Sequence, residues 1–271
     1  MSDIAIAGGT LGGILANWVH ENFWKYYLLT IGVTDAGKSE FVGKVMVPGH
    51  VPRTYPKTIR LERRSSGQIS LYYPNSARSV KRTFSMRDLP GDEEWWARWF
   101  DVMLEKKADY IIYLFNPSKE EIQVPSNNGK KVVKTTPLDF GSRGFEFFGY
   151  HLAHAKYPGR NPLAWLKMKG IIGGAYTPRR LGLWANFADE WANDEDIMRM
   201  TDGSLYDMIY CTQCGKTSCF HKAKRDLHPV FRPFKQTLTL LEKAQVPTML
   251  WACSAATMFN MREGLLKMVI E

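Results

Sequence analysis

The stretch LLTIGVTDAGKSEF, Leu28 to Phe41, runs apolar up to Gly32, closes with Gly37-Lys38-Ser39 and then turns hydrophilic. Gly32 to Ser39 satisfies every fixed position of G-x-x-x-x-G-K-[ST]. Upstream, Tyr26 to Ile31 reads as a buried strand; downstream, Ser39 to Val47 can continue as a helix. Strand, loop and helix in that order let successive backbone N–H groups face a phosphate, and the helix N-terminus adds partial positive charge. Lys38 would then reach the terminal phosphates and Ser39 would hold Mg²⁺. The alternative is an ordinary glycine-containing turn between a strand and a helix.

Working outward, 271 residues at 45% hydrophobic allow one large globular domain or a domain with elaborations. Alternating strands and helices predict an α/β fold: a mostly parallel central sheet with helices on both faces. Among the predicted elements, 57–63 and 68–73 read as two strands of one hairpin, with 80–87 a further strand. A helix is expected over 95–107, with Trp96, Phe100, Met103 and Leu104 on one face, then a buried strand over 108–115. A polar loop at 119–137 precedes helices near 145–156 and 162–168; 181–186 and 248–252 are strands, 229–244 and 258–270 helices.

The net charge is +9, unevenly spread, with nine Lys/Arg against one acidic residue between Arg53 and Arg87. Such patches favour anionic partners, although a solvated basic face reads the same way. Nucleic acid is the least favoured partner, because it needs exposed aromatics beside the patch.

Ile4 to Val19 carries no charge and holds Gly8, Gly9, Gly12 and Gly13. As a helix it would span about 24 Å, short of the roughly 30 Å hydrocarbon core. Residues 4–24 therefore suggest an anchor on an anionic membrane surface, a helix that docks on a partner, or a segment packed on this chain's own core. The run lacks the basic start of a signal peptide, and Ser2 excludes N-myristoylation. The expected setting is cytoplasmic, peripheral on or anchored to a membrane.

Polar residues after the later strands narrow the chemistry. Asp88-Leu89-Pro90-Gly91 could bring a carboxylate to Mg²⁺ and a glycine N–H to a terminal phosphate. After the strand ending at Ala185, Asp189 could accept the two hydrogens that guanine, unlike adenine, presents from N1 and N2. After the last strand, the backbone at Ser254-Ala255 could donate to guanine O6.

With GVTDAGKS, Pro56-Lys57-Thr58-Ile59, DLPG, WANFAD and WACSAA in this order, the chain resembles Ras-superfamily GTPases, most of all the Arf and Arf-like branch or the signal-recognition-particle receptor β subunit. The resemblance implies a P-loop GTPase fold over 25–271 with insertions at 117–180 and 193–228. It implies a guanine-nucleotide switch whose contacts come from Gly32, Asp35, Ala36, Gly37, Lys38, Ser39, Glu40, Thr58, Gly91, Asn186, Phe187, Asp189, Ser254 and Ala255. Ser39, Thr58 and Asp88 would serve Mg²⁺, with Thr54 a weaker choice for the switch threonine. Protein effectors or activators would meet 53–62 and 88–99, where two exposed residues among Trp95, Trp96 and Trp99 would form a nucleotide-gated surface.

Two departures qualify that reading. Asp92 stands where the family has a water-orienting Gln, and a carboxylate there is repelled by the γ-phosphate, so GTP hydrolysis is expected to be slow. A GTP-bound, non-hydrolysing scaffold or receptor subunit is the alternative. Phe187 replaces the Lys whose stem covers the base.

Separately, Cys211, Cys214, Cys219 and His221 form C-x2-C-x4-C-x-H, soft ligands suited to a structural tetrahedral Zn²⁺, with His228 an alternative fourth ligand. Reduced, packed cysteines or a redox role are the other readings. Cys253 is expected at the base pocket.

Overall fold

The computed structural model describes residues 25–46, 62–63, 67–72, 79–126, 131–201 and 227–270. The 4–24 segment, Thr54, Thr58 and the cysteine and histidine cluster at 211–221 lie outside the described residues.

The core is a seven-stranded sheet. β1 (Lys25–Ile31) pairs in parallel with β4 (Ser79–Asp88) on one side and with β5 (Tyr110–Phe115) on the other. From β5 the parallel order continues through β8 (Arg180–Ala185) to β9 (Thr248–Ala252). β5 and β9 are buried along their whole length, as strands covered on both faces must be. The chain leaves β1 towards β4 and then crosses back to β5, so the order reverses at β1. Open α/β sheets bind ligands outside the carboxyl ends of the strands at such a point.

α1 (Lys38–Met46) and α8 (Met261–Ile270) cover one face. There Phe41 meets Trp184 edge-on, and Trp184 lies tilted against Trp251, with ring centroids 6.3 Å apart. The other face carries α2 (Trp96–Lys106), α3 (Pro137–Ala153) and α7 (Lys235–Lys243). Trp96, Phe100, Met103 and Leu104 are all buried, as the helical spacing predicts. Phe148 of α3 fills the space between Trp99 and Phe100, 5.1 Å from the latter ring. With Trp96 at 5% and Trp99 at 0% exposure, these two tryptophans are core, so no two of Trp95, Trp96 and Trp99 form an exposed partner surface.

Three elements differ from the sequence reading. β2 (Glu62–Arg63) and β3 (Gly67–Tyr72) do not pair with each other; both lie antiparallel along β4, at Glu62↔Asp88 and Gly67↔Phe84. Alternation marks a strand without naming its partner, and here β4 offers a longer edge than a short hairpin does. The segment read as a polar loop holds a separate hairpin, β6 (Ile122–Ser126) with β7 (Lys131–Thr135). Finally, α3 begins at Pro137, eight residues before the expected start at Phe145. Thr136 caps it by accepting the Asp139 N–H at 3.0 Å, and Pro137 takes the first helical position. The remaining helices are α4 (Pro162–Met168), α5 (Ala188–Trp191) and α6 (Asp194–Thr201).

Phe148→Ala is expected to destabilise the protein by about 3–5 kcal/mol, because the cavity lies among rigid rings that cannot collapse into it. A lowered urea midpoint with an unchanged m-value, followed by circular dichroism, is the expected result.

Candidate functional site

Register places the chemistry along one edge. Thr30 pairs with Asp88, Phe115 with Ala185 and Ala185 with Ala252. The loop after β1, Asp88 to Asp92, Asn116, Asn186 to Asp189 and Cys253 to Ala255 therefore all leave the sheet at its carboxyl end.

Gly32 to Gly37 wraps back towards α1, with Gly37 at φ 77°. A β-carbon at Gly37 would stand 2.3 Å from Asn186 Nδ2 and 3.2 Å from the Phe187 ring, so only glycine lets those two side chains close over the loop. Lys38 crosses beneath the loop and donates to the Val33 carbonyl at 2.8 Å. Burial lowers the Lys38 pKa below its ordinary value, and the carboxylates of Asp88, Asp35 and Asp92, in that order, pull it back up. A buried ammonium ringed in this way is suited to an anion whose charge is shared with a cation. The Ser39 hydroxyl donates to Asp88 Oδ2, which places two hard oxygen donors side by side at the foot of α1. Glu40 follows in the first helical turn.

Asn186 is fully buried and joins three segments. Its Nδ2 donates to the Ala36 carbonyl at 3.1 Å, its Oδ1 accepts the Ala255 N–H at 2.9 Å, and its own N–H donates to Phe115 at 2.9 Å. Cys253 is buried with its thiol 4.0 Å from Asn186 Oδ1. Burial and then the Asp189 carboxylate raise that thiol far above its ordinary value, so it stays protonated. The Ala188 N–H donates to the Cys253 carbonyl at 3.0 Å, which brings the neighbouring Asp189, at the exposed start of α5, to the Cys253 loop. Phe187 takes a left-handed conformation at φ 56°, costing a bulky residue roughly 1–2 kcal/mol, and its half-buried ring rests on Gly37. Ser254 is buried and its hydroxyl accepts the Thr257 N–H at 3.2 Å.

On the far side of the loop, Gly91 packs against the backbone of Val33 and Thr34; a β-carbon there would come within 2.2 Å of the Thr34 nitrogen. Two indoles fix this segment: Trp99 Nε1 donates to Pro90 O at 3.0 Å and Trp96 Nε1 to Gly91 O at 3.1 Å. Thr34 Oγ1 donates to Asp92 Oδ1 at 2.7 Å.

The structure thus brings together Gly32 to Ser39, Asp88, Gly91, Asp92, Asn186, Phe187, Asp189, Ser254 and Ala255. It also adds participants that motif spacing passes over. Thr34 occupies a variable position of the loop, and Asn116, 3.5 Å from the Asp35 carbonyl, follows a strand with no motif around it. His228 is not left open to a metal: Nε2 lies 3.1 Å from Asp196 Oδ1, and Nδ1 accepts the Val230 N–H at 3.4 Å. Among the described residues no group of three His, Cys, Asp or Glu side chains comes together as a metal site. No described helix is long and apolar enough to cross a membrane.

No protein-family model and no curated protein matches the sequence. Among solved structures, the Arl6 BBS3 small GTPase from Trypanosoma brucei with bound nucleotide analogue GppNp is 13% identical, at a TM-score of 0.43, with 90% of this chain and 95% of that chain covered.

Asn186→Ala leaves the Ala36 carbonyl and the Ala255 amide buried without their partner. The expected loss is about 1–3 kcal/mol for each, read as a lower denaturation midpoint.

Proposed function

We propose that the chain is a guanine-nucleotide-binding switch of Arf-like type that binds GTP and GDP with Mg²⁺. The observation that carries this reading is the Asn186 side chain, which ties the phosphate loop at Ala36 to the Ala255 turn. A loop of phosphate-binding spacing, a carboxylate at Asp189 and the Ser254-Ala255 turn then come to one end of the sheet, with the two N–H groups of that turn held by Phe259 O and Asn186 Oδ1. Adenine would leave the Asp189 carboxylate without the two N–H donors that guanine presents.

In this pocket the loop N–H groups and Lys38 hold the β- and γ-phosphates. Ser39 and Asp88 fit Mg²⁺ as hard oxygen donors, with Thr58 the proposed third contributor, and the ion would supply charge neutralisation at the phosphates. Hydrolysis would be in-line attack of water on the γ-phosphate. Asp92, engaged with Thr34 and bearing a carboxylate where a neutral amide orients water best, makes that step slow. A second reading is a GTP-loaded scaffold or receptor subunit without useful turnover, which the lack of a water-orienting amide at position 92 fits and which a preference for GDP would exclude.

Residues 53–62 and 88–99 are the proposed effector or activator segments, and 4–24 the proposed attachment to an anionic membrane or a partner helix. The setting is accordingly cytoplasmic and membrane-peripheral. Zn²⁺ held by Cys211, Cys214, Cys219 and His221 would staple the 193–228 insertion. One equivalent of zinc in metal-free buffer, lost in Cys211→Ser, is expected by elemental analysis; no zinc in the unaltered protein would refute it.

The switch is tested by denaturing the purified protein, identifying released nucleotide by chromatography, and following phosphate release from GTP and ATP with Mg²⁺. Guanine nucleotide and slow, GTP-selective turnover are expected. Lys38→Ala should weaken nucleotide binding roughly 10- to 150-fold, the equivalent of one charge-assisted bond set. Equal handling of ATP and GTP would contradict the assignment of Asp189.

A further inference from the structure

Resting on the nucleotide reading above, we infer that Thr34 and Asp92 form a latch that makes the pocket prefer a guanosine diphosphate over a triphosphate. Thr34 Oγ1 donates to Asp92 Oδ1 at 2.7 Å, beside the loop whose N–H groups would hold the phosphates in that reading. Thr34 belongs to that loop, and Asp92 belongs to the segment that follows β4. The contact therefore bridges the two walls between which a terminal phosphate must enter.

The bridge is not a chance meeting of two surface side chains. Gly91, one residue before Asp92, lies so close to the loop that a β-carbon would overlap the backbone of Val33 and Thr34. Pro90 and Gly91 are held there by the buried indoles of Trp99 and Trp96. Beyond Asp92 the chain enters a 3-10 turn at once, with Trp95 N–H donating to the Asp92 carbonyl at 2.9 Å. Backbone on both sides of Asp92 is thus fastened, and its carboxylate is aimed at the loop by construction.

Charge gives the latch its direction. Asp92 acts on the ammonium of Lys38, the group that would hold the terminal phosphates, together with Asp88 and Asp35. Asp88 accepts from the Ser39 hydroxyl, where a divalent cation would offset its charge. Asp92 is bonded to a neutral hydroxyl, and the exposed Glu93 and Glu94 that follow add further negative charge. A third phosphate must displace the Thr34 contact and bring its own negative charge against Asp92, whereas a diphosphate ends before reaching it. An activating partner that draws 92–95 away from the loop would admit the triphosphate.

The test is equilibrium titration of the full chain with GDP and with the non-hydrolysable triphosphate analogue GppNHp, both with Mg²⁺. The unaltered protein is expected to bind GDP at least about tenfold more tightly. Asp92→Asn, which keeps an acceptor for Thr34 but removes the charge, should raise GppNHp affinity about tenfold and leave GDP affinity within about threefold. Thr34→Val, equal in size but lacking the donor, should move the ratio in the same direction, and Thr34→Ser should restore it. Thermal melting confirms that each variant is folded. A ratio near one that neither substitution moves, or a loss of GDP binding in folded variants, overturns the latch while leaving the nucleotide reading intact. Absence of binding by either guanine nucleotide removes that reading and the latch with it.

Discussion

The buried side-chain amide of Asn186 is the constraint on which the rest of the site depends. An amide with no exposure must find partners for both ends, and it finds them on two loops distant in sequence, at Ala36 and Ala255. The parallel register of β1, β5, β8 and β9 brings those loops to the same edge. Asn186 then fixes their separation, and with it the distance from the loop at Gly32 to Ser39 to Asp189. Phe187 is forced into a left-handed turn so that Asn186 can point inwards while its neighbour's ring covers Gly37. Local strain here is offset by two buried hydrogen bonds and a glycine contact.

A second constraint is electrostatic. Lys38 is 7% exposed, and burial of an ammonium is unfavourable unless negative groups surround it. Asp88, Asp35 and Asp92 supply that environment. The carboxylates that surround Lys38 are also those that an anion proposed for this site would face, which is why the proposed anion is paired with a divalent cation beside Ser39 and Asp88. The aromatic layer beneath serves the same end. Trp96 and Trp99 contribute their rings to the core and their N–H groups to Pro90 and Gly91, so packing on α2 determines the position of Asp92.

The parts most legible in the sequence are those where burial and motif spacing act together. The strands ending at Ile31, Phe115, Ala185 and Ala252 are short apolar runs; Asn116 and Asn186 follow the second and third at once, and the first and last run into Gly32 and Cys253-Ser254. Pairing was not legible, since alternation in 62–72 marks two strands but does not reveal that both lie on β4. The early start of α3 was hidden by Gly141 and Gly144, which dilute helical propensity, although Thr136-Pro137 with Asp139 carries a capping signal. In the site, residues with a fixed place in a motif could be named beforehand. Thr34 could not, because its role comes from meeting Asp92 across 58 residues, and nothing in local spacing encodes that contact.

The claim that Asn186 and Asp189 build a guanine pocket is tested most directly by changing the hydrogen-bonding sense of Asp189 alone. Asp189→Asn replaces an acceptor for guanine N1–H and N2–H with a group that can donate to the 2-oxo group of xanthine. Calorimetric titration with GDP and xanthosine diphosphate should show GDP affinity falling by at least about a hundredfold while xanthosine diphosphate binding appears. Undiminished GDP affinity in the folded variant would contradict the account, because the base would then lie elsewhere than against Asp189.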